Sequence, residues 1–169
     1  MSIYYFDTSA HVKYYVTEPG SAWVTQLIEA QAPSTTRLAH TIVIARATVA
    51  EVSSALAILR RQLIISKRQC ADAYAHFLVD IADRFVVVDV APLDFHAAAE
   101  LSQRHPLKAY DAVQLAVALC YRTLLTNRPP SLTFVSGDRT LLTAAALEGL
   151  HTNNPFDHIM PEDTSSSST

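Results

Sequence analysis

The stretch Ile3-Tyr4-Tyr5-Phe6-Asp7-Thr8-Ser9-Ala10-His11-Val12 decides how the rest of the chain is read. β-Branched and aromatic residues over Ile3 to Phe6 fit a short buried strand. The run stops at a carboxylate, and Thr8 and Ser9 are residue types that open helices. Val12, Tyr15 and Val16 then fall at helical spacing. Asp7 is therefore expected at the carboxyl end of a first strand, just before a helix N-terminus. In open α/β sheets that edge is where ligands bind. Each later segment can be asked whether it brings further carboxylates to the same edge.

With 169 residues, half of them hydrophobic, the chain is expected to be one domain with a real core. A formal net charge of -3 argues against a protein that grips nucleic acid through bulk positive charge. It leaves room for an enzyme that meets nucleic acid through a metal ion. The two cysteines, Cys70 and Cys120, fall within predicted helices and are expected to be reduced, buried thiols of a cytoplasmic protein. There is no charged-then-apolar leader and no apolar run of spanning length, so neither signal-peptide export nor a membrane partner is expected.

Only three glycines occur, and alanine and leucine are frequent, so helix should dominate. Ala10 to Val16 is predicted as a short helix ending near Glu18-Pro19-Gly20, and Ser21 to Ala30 as a second. Pro33 to Ala39 is a loop before the strand Thr41-Ile42-Val43-Ile44. Thr48 to Leu63 carries Val49, Val52, Leu56 and Leu59 along one helical face. Ser66 can cap Lys67 to Arg84. Phe85 to Val88 is a third strand, and Pro92 to Arg104 and Ala109 to Tyr121 are helices. Leu132 to Val135 is a fourth strand, Arg139 to Leu147 a helix ended by Gly149, and Leu150 begins a last extended piece. Strands alternating with helices predict an α/β fold, a mostly parallel sheet covered on both faces. The domain is expected over 1–158, with 159–169 as a disordered, dispensable tail.

Four acids stand at strand ends or helix starts beside sequence that must be buried: Asp7, Glu51, Asp111 and Asp138. Acidic side chains are seldom placed at a core's margin without a partner. If the four converge, repulsion raises their pKa values unless a cation sits among them. Oxygen-only ligands favour Mg²⁺ or Mn²⁺ over zinc. Each acid also has a purely structural reading. Thr48 and Glu51 fit a capping box, Asp111 could complement a helix dipole, and Asp138 could cap the following helix. The joint pattern carries the argument.

These motifs resemble a known family. Asp7-Thr8-Ser9 after an apolar strand, Thr48-Val49-Ala50-Glu51-Val52, Tyr110-Asp111-Ala112-Val113-Gln114-Leu115-Ala116 and Val135-Ser136-Gly137-Asp138 look like the four motifs of PIN domains. More closely they resemble the VapC-type toxin ribonucleases of toxin–antitoxin pairs. The likeness runs from Ile3 to about Pro155, and the segment around Asp111 is its most specific part. The resemblance implies a three-layer α/β/α sandwich and Mg²⁺- or Mn²⁺-dependent endonucleolytic cleavage of single-stranded RNA. It implies Asp7, Asp111 and Asp138 as metal ligands, Glu51 completing the site or orienting water, and the hydroxyls of Thr8, Ser9 and Ser136 holding the carboxylates. It also implies a cognate antitoxin and a homodimer.

Substrate grip would fall to basic residues near the motifs: Lys13, Arg46, Lys108 and Arg139. Seven histidines occur, none in a close pair with zinc-ligand spacing, and His11 lies nearest the site. Phosphoryl transfer onto Asp7, as in haloacid-dehalogenase-like phosphatases, would need a second Asp where this chain has Ser9. The remaining alternatives are a PIN-like scaffold that binds RNA or protein without cutting, and an RNA-processing nuclease that is not a toxin.

Overall fold

Five strands, β1 (Ser2–Phe6), β2 (His40–Ala45), β3 (Val86–Val88), β4 (Leu132–Val135) and β5 (His151–Asn153), form one sheet in the order β3-β2-β1-β4-β5. Every neighbouring pair is parallel. The structure is a computed structural model, and it describes residues 2–33, 36–125 and 132–164. β1 is central, with Tyr5 opposite Val43 of β2 and Phe134 of β4. Side chains alternate across a strand, so β1 sends Ile3 and Tyr5 to one face of the sheet and Phe6 to the other.

Each face has its own core. Helices α1 (Thr8–Val12), α2 (Ser21–Glu29), α3 (Thr48–Arg61) and α4 (Lys67–Asp83) pack with Phe6, Ile42 and Ile44 through Ala10, Val24, Ile28, Val52, Leu56 and Phe77. Helices α5 (Pro92–Arg104), α6 (Ala109–Leu124) and α7 (Arg139–Leu147) pack with Tyr5, Val43 and Phe134. Strands buried on both faces explain their continuous apolar runs. The seven residues Ala112 to Ala118 of α6 are all buried. From β1 the chain builds outward through β2 and β3, then returns to lay β4 and β5 on the other side. The carboxyl ends of β1 and β4 therefore frame the crevice that doubly wound sheets offer to ligands.

The predicted elements are present, with local differences. α1 stops at Val12, earlier than expected, and a turn carries the chain onward. Gln31 and Leu38 form an isolated antiparallel bridge. Ser66 caps α4 as anticipated, in a capping box with Gln69. No box forms between Thr48 and Glu51, because the α3 cap is Ala47 and both side chains bond elsewhere. Cys70 and Cys120 are free, but neither is buried as expected: Cys70 is half-buried and Cys120 exposed. Residues 126–131, between α6 and β4, lie outside the described residues.

The expected tail over 159–169 needs correction at its beginning. Pro161–Thr164 forms a short helix, α8, and Asp163 is buried. Its carboxylate accepts from the Gly20 N–H at 3.0 Å, the Ala22 N–H at 2.8 Å and the Met160 N–H at 2.9 Å. Gly20 is the N-cap of α2 and has no side chain to satisfy the helix's first donors. Asp163 supplies that cap from 140-odd residues away, which sequence-local rules do not reveal. Residues 165–169 lie outside the described set.

Candidate active site

Asp7 ends β1 and caps α1, so its side chain is anchored before any ligand arrives. Oδ1 accepts from the Ala10 N–H at 2.9 Å and from Ser9 Oγ at 2.8 Å, and Oδ2 accepts from Ser136 Oγ at 2.8 Å. The residue is only 5 % exposed. Burial pushes its carboxyl up to about 6, with the charge of Glu51 adding to the effect and the bonds from Ala10, Ser136 and Ser9 opposing it.

Asp138 follows β4 and caps α7, accepting from the Thr140 N–H at 2.7 Å and the Leu141 N–H at 3.2 Å through Oδ1. The ends of β1 and β4 are stitched together by hydroxyls. Ser136 Oγ accepts from the Asp138 N–H at 2.9 Å while donating to Asp7. Ser9 Oγ accepts from the Gly137 N–H at 2.8 Å while donating to Asp7. A Cβ on Gly137 would stand 3.2 Å from Ser9 Oγ and 3.1 Å from the Phe156 ring, so glycine lets this bond form.

Glu51 projects from the first turn of α3. Its Oε2 accepts from Thr8 Oγ1 at 2.7 Å and from Gln114 Nε2 at 2.6 Å. Asp111, half-buried in the first turn of α6, has its carboxyl raised by burial first, then by the charge of Asp138 and to a lesser degree that of Glu51, while the charge and backbone N–H of Lys108 lower it. Asp7, Glu51, Asp111 and Asp138 line one cavity of about 550 Å³, together with Thr8, Ser9, Gln114 and Gly137. Its other wall is mostly apolar, made by Val12, Ala55, Ile58, Leu59 and Phe156, with the Lys13–Glu18 pair completing the lining. Among the described residues none of the four acids has an ion-pair partner.

The basic residues divide differently from expectation. Lys13 is buried, and its ammonium is spent on Glu18 at 3.1 Å, the Pro19 carbonyl at 2.9 Å and the Phe156 ring at 3.8 Å. Arg46 pairs with Asp89, and Arg139 with Asp157 at 3.8 Å. Lys108 is exposed and acts on Asp111. His11 is no part of the site. It is fully buried among Phe6, Phe77, Phe85 and Tyr15, neither ring nitrogen has a hydrogen-bond partner, and burial lowers its pKa to about 3.

Gln114 and Tyr5 are the members that sequence reasoning missed. Gln114 is 2 % exposed, and Tyr5 OH donates to its Oε1 at 2.7 Å. The available signal was one amide in an otherwise apolar run, a turn after Asp111.

A parallel α/β sheet with an acidic crevice at its carboxyl edge defines a class, and comparison supplies the family: the chain belongs to the PIN domain family, whose model matches residues 4–127. It is a distant homologue of VapC ribonucleases. It is 33 % identical over 150 residues to ribonuclease VapC45 and to ribonuclease VapC49 of two Mycobacterium tuberculosis strains, covering 88 % of this chain and 93 % of each relative. The fold is similar to VapBC2 from Rickettsia felis, solved bound to a DNA fragment from their promoter, and to FitAcB from Neisseria gonorrhoeae. Each of these two matches has a TM-score of 0.58 at 17 % identity, covering 90 % of this chain and 98 % of the other.

Proposed function

We propose that this VapC-like chain is a divalent-metal-dependent endoribonuclease that cuts single-stranded RNA and serves as the toxin of a toxin–antitoxin pair. One observation carries the reading: Asp7, Glu51, Asp111 and Asp138, from separate elements, line one cavity, and none of them has an ion-pair partner among the described residues. The donor set suits a hard cation, because all the candidates are oxygens, and burial first, with neighbouring acids adding to it, raises the carboxyls of Asp7 and Asp111. Among the described residues no three His, Cys, Asp or Glu side chains form a ready-made metal cage.

In this reading Asp7, Asp111 and Asp138 hold the cation, and Glu51 completes the site or orients the attacking water. When bound, the cation supplies Lewis acidity at the phosphate and a water of lowered pKa. Ser9 and Ser136 fix both oxygens of Asp7, and Thr8 fixes Glu51, so the donors need little reorganisation as charge develops. Lys108 is the basic residue best placed to meet the RNA backbone.

The apolar wall of Val12, Ile58 and Leu59, with exposed Leu63 farther along, is the surface for an antitoxin helix or arm. A basic side chain of that partner would neutralise the acids. A homodimer and a cytoplasmic setting complete the proposal.

The test is cleavage of mixed tRNA and mRNA pools by partner-free protein in Mg²⁺ or Mn²⁺, with EDTA and Asp7→Asn controls. Cutting that disappears in both controls is expected. Folded, metal-loaded protein that leaves every pool intact would overturn the nuclease in favour of a binding scaffold.

A further inference from the structure

We propose that Gln114 is a positioning residue of the acidic site, setting the carboxylate of Glu51 for cation binding; this rests on the metal-dependent reading above. Gln114 lies in the fully buried run Ala112 to Ala118. A primary amide there is costly unless each polar group is bonded. Here Oε1 accepts from Tyr5 OH at 2.7 Å, and Nε2 donates to Glu51 Oε2 at 2.6 Å and to Thr48 Oγ1 at 3.0 Å. A methionine would fill the same space without that demand.

The amide can face only one way. Turned over, it would set Oε1 against the Glu51 carboxylate. Tyr5, fully buried behind it, offers its hydroxyl as the donor to Oε1. Tyr5, Gln114 and Glu51 thus form a directed chain from the strand core to the cavity. Its end state is specific: Gln114 and Thr8 both bond Oε2, leaving Oε1 with no hydrogen bond among the described residues. Gln114 also lies one turn beyond Asp111 on α6, while Glu51 is on α3 across the sheet edge. The bond therefore fixes the spacing of two acids that come from opposite layers.

A merely structural amide would tie α3 to α6 and affect stability alone. The discriminating measurement is Mn²⁺ binding by calorimetry to the full chain, beside melting temperature and kcat and KM on RNA. Gln114→Met should lower Mn²⁺ affinity roughly ten- to a hundredfold, the range for partners that orient metal ligands, and lower kcat more than KM. Tyr5→Phe should act in the same direction and less. Leu115→Met, a packing change on the same helix, should move only the melting temperature. Gln114→Met and Glu51→Gln should be non-additive in Mn²⁺ affinity, because one acts through the other. Wild-type Mn²⁺ affinity in folded Gln114→Met overturns this proposal alone. Absence of Mn²⁺ binding by the wild-type chain overturns it together with the metal-dependent reading.

Discussion

Two buried titratable side chains on α1 and its cap pull the pH dependence of stability in opposite directions. Asp7 has a folded pKa of about 6 against an unfolded value of 3.8. Its neutral form costs nothing below 3.8, and stability is lost as pH rises through 6 and the buried carboxylate ionises. Asp7→Asn should therefore raise the melting temperature in EDTA at pH 8, by on the order of 1–3 kcal/mol in stability, while abolishing cleavage. The gain should vanish at pH 4, which paired thermal melts would reveal. A variant that gains nothing at pH 8 would show that the carboxylate is not strained in the free protein. His11 has the reverse sign. Its folded pKa is about 3 against 6.5 unfolded, so stability is lost as pH falls from 6.5 towards 3 and the unfolded chain alone takes up the proton. His11→Leu should flatten that acid limb in pH-dependent urea unfolding. At pH 7 it should add about 1–3 kcal/mol by removing unsatisfied buried nitrogens. An unchanged acid limb would place the responsible proton elsewhere.

Element by element, what was legible followed from local period and punctuation. β1, α4 and α6 were readable because apolar spacing, a capping serine and an unbroken Ala-Val-Leu run act within a few residues of themselves. The acids were readable because each stands where a strand or helix must end or begin. Features set by distant neighbours were not. The Thr48 and Glu51 pair has the spacing of a capping box, yet Gln114 outbids Thr48 for the carboxylate. Lys13 is near the site in sequence, but the turn after α1 folds it inward onto Glu18, Pro19 and Phe156. The cap of α2 comes from Asp163, whose own sequence is polar and looks like tail. Asp163→Ala should therefore cost about 1 kcal/mol, the usual worth of an N-cap, seen as a melting temperature lower by roughly 2–4 °C. RNA cleavage should be unchanged, since Asp163 does not line the acidic cavity. Gly20→Ala should cost more, about 2–3 kcal/mol for its strained backbone alone. Its φ is +89°, and a Cβ there would come within 2.4 Å of the Pro155 carbonyl oxygen. Chemical denaturation of both variants would rank them, and a harmless Gly20→Ala would refute the close approach.

At the scale of the whole molecule, the acids belong to different layers as well as different motifs. Glu51 comes from the face packed by α1 to α4, and Asp111 from the face packed by α5 to α7. Asp7 and Asp138 sit between them at the ends of β1 and β4. Like charge gathered at this junction opposes closure of the two layers, and the fold offsets it with hydroxyls, backbone N–H groups and one amide, with Lys108 acting on Asp111 alone of the four and no ion pair to any of them among the described residues. A cation bound there would replace repulsion by attraction on both layers at once, so its effect should appear in global unfolding. A ligand that binds only the folded state at a hundred times its Kd stabilises by about 2.7 kcal/mol. Mn²⁺ at that excess should raise the wild-type melting temperature by several degrees, and EDTA should reverse the gain. Asp7→Asn should show the opposite profile, melting higher than wild type in EDTA and gaining little from Mn²⁺. The two melting curves would then cross as Mn²⁺ is added, because the substitution removes both the repulsion and a ligand that answers it. Parallel curves, with equal Mn²⁺ gains in both proteins, would mean that the stabilising ion binds away from Asp7.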